Sequence, residues 1–375
     1  MMEDPLGATM SPAAGQPVDG DERPFPVVSQ PGRARYAVAE DLGAGGMGQV
    51  VRVHDAELDR DVAMKLLRGQ GFRDGDSVSR FLDEARSTAR LEHPNIVPIH
   101  EVGYRPDGVP YFTMRLVQGK TLHELIEELA TGNPAAHERL PFVRRLQLVQ
   151  HVCHALSYAH AQGILHRDIK PANIMIGAFG EVVVMDWGLA RTIGPRSPES
   201  RGLPRHPTGR GAVLGTPAFM PPEQAEGGSD TLDARSDVYA VGALMYALFT
   251  LRAPHTGTTP LEVLTSVSNQ VPPAPEDLAI PGQPRVPREV SHIIMRAMAR
   301  DPAARYPTAQ SLADAIQAFL EGRSAVVCVH TAVKRGLNRL AEFVDQHHRV
   351  AILGLALVLV GPSALAIALL AALYR

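Results

Sequence analysis

Beginning at Tyr36 the chain is written in short runs that alternate apolar with polar residues or string β-branched residues together, at 36–42, 49–54, 62–66, 96–102 and 111–117. Runs of this length and composition predict five strands. Between the third and fourth, Val78, Phe81, Leu82, Ala85 and Ala89 recur at helical spacing, so one amphipathic helix is expected there. Beyond Gly119 the pattern turns helical. Leu148, Val149, Val152, Leu156 and Ala159 form a stripe leading into a loop at Gly163, and two short strands are expected near Ile174 and Val182. Residues 238–249 are apolar on every face, yet twelve residues are too few to cross a bilayer, so they predict a buried central helix. The stretch 272–287 reads as an irregular surface loop. A sheet-rich part with one helix is thus followed by a mainly helical part.

The two ends depart from this pattern. Residues 1–33 are rich in Pro, Gly and small residues with several acids, a composition that cannot offset its ordering entropy, and predict a disordered tail. Residues 350–373 are 24 positions without a charge. As a helix they would reach about 36 Å, enough for a hydrocarbon core of roughly 30 Å, so a transmembrane helix is expected, with Gly361-Pro362 as its kink. Lys334, Arg335, Arg339 and Arg349 precede this span, in a juxtamembrane segment 321–349, and only Arg375 follows it. That asymmetry places the preceding chain in the cytoplasm of a single-pass protein of the cell membrane.

Composition changes the picture only by exclusion. With 45% apolar and 21% charged residues the bulk of the chain is globular, and a net charge of −3 argues against a nucleic-acid binder. The two cysteines, Cys153 and Cys328, form neither a disulfide framework nor a zinc-ligand spacing. The first 22 residues hold no Lys, Arg or apolar run, so no secretory signal is expected and the N-terminus stays in the cytosol.

Candidate chemistry starts at Leu42-Gly43-Ala44-Gly45-Gly46-Met47-Gly48-Gln49-Val50, a G-x-G-x-x-G-x-V run between two expected strands. Residues without side chains let backbone N–H groups approach phosphate oxygens. A dinucleotide fold would need a helix directly after the glycines, whereas 49–53 are strand-like, so that reading is excluded. Lys65 lies in the apolar strand Val62-Ala63-Met64-Lys65, where a buried ammonium requires an anion. Glu84, at the edge of the helix stripe, is available, and a nucleotide phosphate could be a second partner.

Three later segments complete a set: His166-Arg167-Asp168-Ile169-Lys170-Pro171-Ala172-Asn173, then Asp186-Trp187-Gly188, then Pro221-Pro222-Glu223. In order and spacing the whole series resembles the eukaryotic-type protein kinases, in particular the bacterial transmembrane serine/threonine kinases, over about residues 36–320. The resemblance implies an α+β, two-lobed protein kinase fold over 34–320, with a sheet-rich N-lobe to 117 and a larger helical C-lobe over 118–320. It implies ATP and Mg²⁺, with Mn²⁺ as an alternative metal. Gly43, Gly45 and Gly48 would cover the phosphates, with Leu42 beside them also binding the nucleotide, and Lys65, held by Glu84, would bind the α- and β-phosphates. Val50 and Ala63 would sandwich the adenine, and Arg115 and Val117 would meet it in the hinge 114–117. Asn173 and Asp186 would hold the metal, and Asp168 would accept the proton of the attacking hydroxyl.

Lys170 and Thr216 resemble the serine/threonine branch, which implies protein substrates bearing Ser or Thr and, by kinship, autophosphorylation in trans within a homodimer. Asp237 would anchor the catalytic loop and Arg305 would pair with Glu223, although an ordinary ion pair explains Arg305 equally well. Thr208, eight residues before Thr216, is where related bacterial kinases carry a phosphorylated threonine. Three departures from the family pattern stand out: Trp187 for the usual Phe, whose indole N–H needs a partner if buried; Pro221 for the usual Ala; and Arg115 for a frequent Glu. None removes a catalytic group. The expected function is therefore a signalling serine/threonine kinase, with a membrane-anchored pseudokinase scaffold as its rival. A small-molecule phosphotransferase on the same fold is disfavoured by Lys170, Thr216 and the Pro-Pro-Glu segment.

Overall fold

The computed structural model of the chain describes residues 35–44, 48–67, 75–188, 191–192, 217–227, 232–280 and 282–323. Gly45, Thr208, Thr216, the tail 1–33, most of 321–349 and the span 350–373 lie outside the described residues. Among the described residues no helix is long and apolar enough to cross a membrane.

The N-terminal lobe is built from β1 (Tyr36–Ala44), β2 (Gly48–Asp55), β3 (Arg60–Leu67), α1 (Gly75–Ala89), β4 (Ile99–Tyr104) and β5 (Pro110–Arg115). The strands form one antiparallel sheet in the order β1-β2-β3-β5-β4. Alternation along β3 sorts its side chains onto two faces. Val62, Met64 and Leu66 pack with Val51 and Val53 on one face. Ala63 and Leu67 pack on the other with Phe81 and Ala85 of α1. Lys65, between Ala63 and Leu67 in this alternation, falls on the helix side.

The fourth strand begins three residues later than its apolar run suggests. Pro98 has no N–H to give to a ladder. Residues 95–97 pair instead with the other lobe, where Val184 N–H donates to Asn95 O at 2.8 Å and Val97 N–H donates to Val184 O at 3.2 Å. The fifth strand stops at Arg115, and 116–118 continue as the connection between lobes.

The second lobe opens with β6 (Gly119–Thr121), α2 (Leu122–Ala130), α3 (Pro134–Arg139) and α4 (Phe142–Ala161). There follow β7 (Ile164–Leu165), β8 (Ile174–Gly177), β9 (Val182–Val184) and β10 (Arg191–Thr192). The chain then forms α5 (Pro222–Ala225), α6 (Ala234–Thr250), α7 (Pro260–Asn269), α8 (Arg288–Ala297) and α9 (Ala309–Leu320). Helix α6 is the expected central helix: every residue from Ser236 to Thr250 is buried. The Asp233 carboxylate caps it by accepting the Arg235 N–H. Helix α4 packs on α6 and α9, so its apolar stripe lies inside one core with Val238, Leu244 and Ile316. The 272–287 stretch is irregular apart from one 3₁₀ turn, Pro275–Asp277.

Candidate active site

The cleft between the lobes is organised around Lys65. Helix α1 buries Phe81, Glu84, Ala85 and Thr88, positions i, i+3, i+4 and i+7 of one face, so Glu84 points at the sheet with the apolar residues. Lys65 Nζ meets Glu84 Oε1 at 2.5 Å and, across the cleft, Asp186 Oδ1 at 3.1 Å. Burial works against the ammonium, but the two carboxylates outweigh it and hold the Lys65 pKa above its ordinary value. For Glu84 burial dominates: it pushes the carboxyl up to about 7 against the pull of Lys65, and the neighbouring Asp186 charge adds to the rise. Burial would also raise Asp186, yet Lys65 holds it below the usual carboxylate range. A Cβ at Gly188 would lie 3.0 Å from Glu84 Oε2 and 3.2 Å from Asp186 Oδ1, so a side chain there would press the two carboxylates aside by a few tenths of an ångström.

The loop after β7 is held from below by α6. Asp237 Oδ2 accepts the His166 N–H at 2.9 Å and lies 2.7 Å from His160 Nε2, while Oδ1 accepts the Arg167 N–H at 2.8 Å. Arg167 has φ +69°, a left-handed conformation uncommon for a residue with a side chain. Its carbonyl is tied as well, accepting from Gln224 Nε2 at 3.1 Å. The His166 ring accepts the Asp168 N–H on Nδ1 at 3.2 Å and lies 3.1 Å from Met185 O through Nε2. Since a carbonyl only accepts, the proton sits on Nε2.

Asp168 Oδ2 accepts from Lys170 Nζ at 2.7 Å and from Asn173 Nδ2 at 3.2 Å, and Asn173 Nδ2 also donates to Asp168 O at 2.8 Å. Met185 N–H donates to Asn173 O at 2.8 Å, which brings Asn173 beside Asp186. The latter is also left-handed, with φ +55°.

An apolar surface closes the inner cleft. Val50, Ala63, Met114, Leu116 and Val117 pack in one cluster with Met175, which comes from β8 of the other lobe. Val117 makes no backbone hydrogen bond among the described residues, so its N–H and carbonyl remain available there. The Arg115 guanidinium turns aside to Glu181 at 3.4 Å. Leu42 lies exposed on β1 outside that cluster. At Gly48 a Cβ would sit 2.6 Å from Leu66 O, so any side chain would collide with β3.

Some of this was not readable in advance. Gln224 and Met175 carry no motif of their own; their only signals are adjacency to Pro-Pro-Glu and a place two residues beyond Asn173, on the strand that follows it. Trp187 is buried against the His166 ring, with centroids 4.6 Å apart. Its indole N–H has no hydrogen-bond partner among the described residues, contrary to the expectation that burial would supply one. The expected Arg305–Glu223 pair is present and bidentate, at 2.7 and 2.8 Å.

A sheet-rich lobe and a helical lobe, with a lysine–glutamate pair in one and an aspartate-bearing loop in the other, define a phosphotransferase class, and the chain belongs to the protein kinase family: residues 36–316 match the protein kinase domain. It is similar to the probable serine/threonine-protein kinase SCO3848 of Streptomyces coelicolor, 38% identical over 292 residues covering 77% of this chain and 40% of the relative. Serine/threonine-protein kinase PknB of Mycobacterium tuberculosis is 36% identical over 283 residues, 74% of this chain and 42% of the relative. The probable serine/threonine-protein kinase CE0033 of Corynebacterium efficiens is 37% identical over 297 residues, 78% and 42%. The chain therefore spans about two fifths of the length of the curated relatives it matches.

Proposed function

We propose that the chain is a serine/threonine protein kinase, which moves the γ-phosphoryl group of ATP to Ser or Thr hydroxyls of protein substrates, and of itself, in signal transduction. The observation that carries this reading is the position of Lys65 between Glu84 and Asp186, together with an Asp168 carboxylate held by Lys170 and Asn173. The cleft fits a nucleotide. Gly48 keeps β2 and β3 close, and the apolar walls come from both lobes, as an adenine between Val50, Ala63 and Met175 would require. The metal position fits too: Asn173 Oδ1 accepts no hydrogen bond among the described residues, and the Asp186 carboxylate is half open to the cleft, a pair of oxygen donors suited to a hard cation. Mg²⁺, or Mn²⁺ as the alternative, neutralises phosphate charge when bound.

In this reading Lys65 binds the α- and β-phosphates and Glu84 fixes the direction of its ammonium. Asp168 accepts the proton of the incoming hydroxyl, and Lys170 balances charge beside it. The protein contributes chiefly positioning and fixed charge, since phosphoryl transfer needs little covalent help. A scaffold without turnover would have no use for all of Lys65, Asp168, Asn173 and Asp186 in working geometry. The reading extends to the ends of the chain: a disordered tail at 1–33, a membrane helix at 350–373 supported by its 24 uncharged residues, a cytoplasmic kinase domain supported by the basic residues of 321–349, and a homodimer for autophosphorylation in trans.

Purified full-length chain incubated with γ-labelled ATP and Mg²⁺ is expected to label itself and a Ser/Thr-containing protein, and the Asp168→Asn variant is expected to label neither. Unlabelled products from the folded native chain would overturn the kinase reading. Recovery of the full-length chain in the soluble fraction after ultracentrifugation without detergent would overturn the anchor alone.

A further inference from the structure

Among the described residues two arginines are buried in the helical lobe, Arg145 with 4% of its surface exposed and Arg305 with 2%. A guanidinium carries five N–H donors and a charge it does not shed. In Arg305 all five are used. Nε donates to Ala299 O, Nη1 to Glu223 Oε1 and Arg235 O, and Nη2 to Glu223 Oε2 and Arg300 O, at 2.7–3.0 Å. The charge faces a bidentate carboxylate, the arrangement that makes burial tolerable.

Arg145, in the first turns of α4, has no carboxylate partner among the described residues. Its Nε donates to Leu140 O at 2.9 Å, and its Nη1 donates to Gln283 Oε1 at 2.7 Å and, more weakly, to Leu248 O at 3.4 Å. Its Nη2 makes no hydrogen bond among the described residues. Burial pulls the pKa down to about 10, so the group is still charged at neutral pH. The groups that accept from it are neutral oxygens, among them Leu248 O in the last turn of α6, and none carries a full negative charge. Helix α4 starts without a side-chain cap and without an acid in its first turn, so its exposed N–H groups bring the positive end of the helix dipole to the same place.

Arg145 and Gln283 line a cavity of about 190 Å³ whose other walls include Pro141, Phe142, Phe249 and Val286. Phe142 and Phe249 stand edge to face with centroids 5.1 Å apart. Because the guanidinium can only donate, the Gln283 amide oxygen must face Arg145, which fixes its Nε2 as a second donor. That nitrogen is buried and has no hydrogen-bond partner among the described residues. A surplus buried cation, an orphaned amide donor and a helix N-terminus therefore meet at one apolar cavity. A cavity of roughly 150 Å³ already accepts a benzene ring, so this one has room for a ring and a small substituent. It lies at the N-terminal end of α4, whereas the catalytic loop follows the other end, about 30 Å away along the helix.

We propose that this cavity is a binding site for a small aromatic monocarboxylate, held by Arg145 and Gln283 with its ring among the phenylalanine and proline walls. A monoanion matches a single buried cation, whereas a dianion would leave one charge uncompensated in an apolar wall. This inference stands apart from phosphoryl transfer, and so does its test. Benzoate titrated calorimetrically into the purified full-length chain, with the nucleotide cleft saturated by a non-hydrolysable ATP analogue, is expected to bind at one site. Benzamide, equal in shape but neutral, is expected to bind at least about tenfold more weakly, the loss of one charge-assisted hydrogen bond. Arg145→Met is expected to abolish the preference for the anion. Because that change strands two backbone carbonyls, Gln283→Leu in the surface loop is the second variant, expected to weaken benzoate by a similar factor while leaving the fold intact. The Asp168→Asn variant is expected to bind benzoate like the native chain. Absence of benzoate binding, equal affinity for benzamide, or native affinity in the folded Gln283→Leu variant would each overturn the proposal.

Discussion

Asp237 and Arg167 lie 70 residues apart in the chain, and Asp237 Oδ1 accepts the Arg167 N–H at 2.8 Å. The same carboxylate takes the His166 N–H and approaches the His160 ring, so one side chain at the start of the central helix fixes the backbone from which Asp168 projects. Because Arg167 is held at φ +69°, the loop depends on this contact rather than on its own backbone preference.

Asp237→Asn is expected to lower stability by about 2–3 kcal/mol at neutral pH, since the amide NH₂ must face a donor on one side. Burial would raise the Asp237 pKa, but the His160 ring, with the nearby His166 and the Arg167 N–H, outweighs it and holds the carboxyl below its ordinary value of 3.8. A depressed carboxylate contributes stability above the unfolded value and loses it as pH falls through the folded one. Urea denaturation of both proteins should therefore show a gap that is constant near neutrality and narrows below pH 3.8. A gap that widens on acidification would contradict the assignment.

Lys65→Met is expected to leave the domain folded, because Glu84, already pushed up to about 7, can take a proton once its partner is gone. Phosphoryl transfer should nevertheless fall by more than about a hundredfold, the scale of losing a fixed charge at a transition state. Asp186→Asn should do the same, and the double variant should be little worse than either single one. Circular dichroism with a γ-labelled ATP assay checks both halves. Additive losses would show that Lys65 and Asp186 do not act on one transition state.

Gln224 is expected to be a positioning residue. It touches no reacting atom, but its amide ties the Arg167 carbonyl while Asp237 ties the Arg167 N–H. Gln224→Ala should reduce kcat by about tenfold or more, the cost of loosening a catalytic group by a fraction of an ångström, with KM for ATP unchanged. Gln224→Glu, which turns an acceptor toward that carbonyl, should fall at least as far. Native kcat in both variants would remove the role.

Thr208 is expected to be autophosphorylated and activating. Between Trp187 and Pro222 the chain holds Arg191, Arg196, Arg201, Arg205 and Arg210 against the single acid Glu199. A phosphate of about −2 charge would relieve that repulsion and accept charge-assisted hydrogen bonds. Mass spectrometry of the active enzyme should find phosphate on Thr208, and Thr208→Ala should be several-fold less active. An unmodified Thr208 together with full activity of the variant would reject the site.

What could be read directly from the chain was whatever is encoded in neighbouring residues. Alternating or β-branched runs placed the strands of the first lobe, a period of 3.6 placed α1 and α4, and an unbroken apolar stretch placed α6. The loop residues Asp168, Lys170 and Asn173 sit within six positions of one another, and the resemblance to the kinases implied one site for them; in the structure Asp168 Oδ2 accepts from both Lys170 and Asn173. The start of β4 was misplaced because Ile96 and Val97 are apolar enough for the sheet but are drawn to Val184, a contact 87 or more residues away.

The tertiary structure decided which charges meet. Arg145 and Arg305 look alike in sequence, each within a mainly apolar helical lobe, yet one is matched by Glu223 at 2.7 Å and the other meets only carbonyl oxygens and an open cavity. Gln224 acquires its role only when α5 is folded against a loop 57 residues earlier. Hydrophobic periodicity is a local property, dictated by the geometry of one strand or helix, and so it survives in the sequence. The partner of a buried charge is chosen by how those elements pack, so outside a known family pattern, which named Glu84 for Lys65 and Glu223 for Arg305, no spacing along the chain records it.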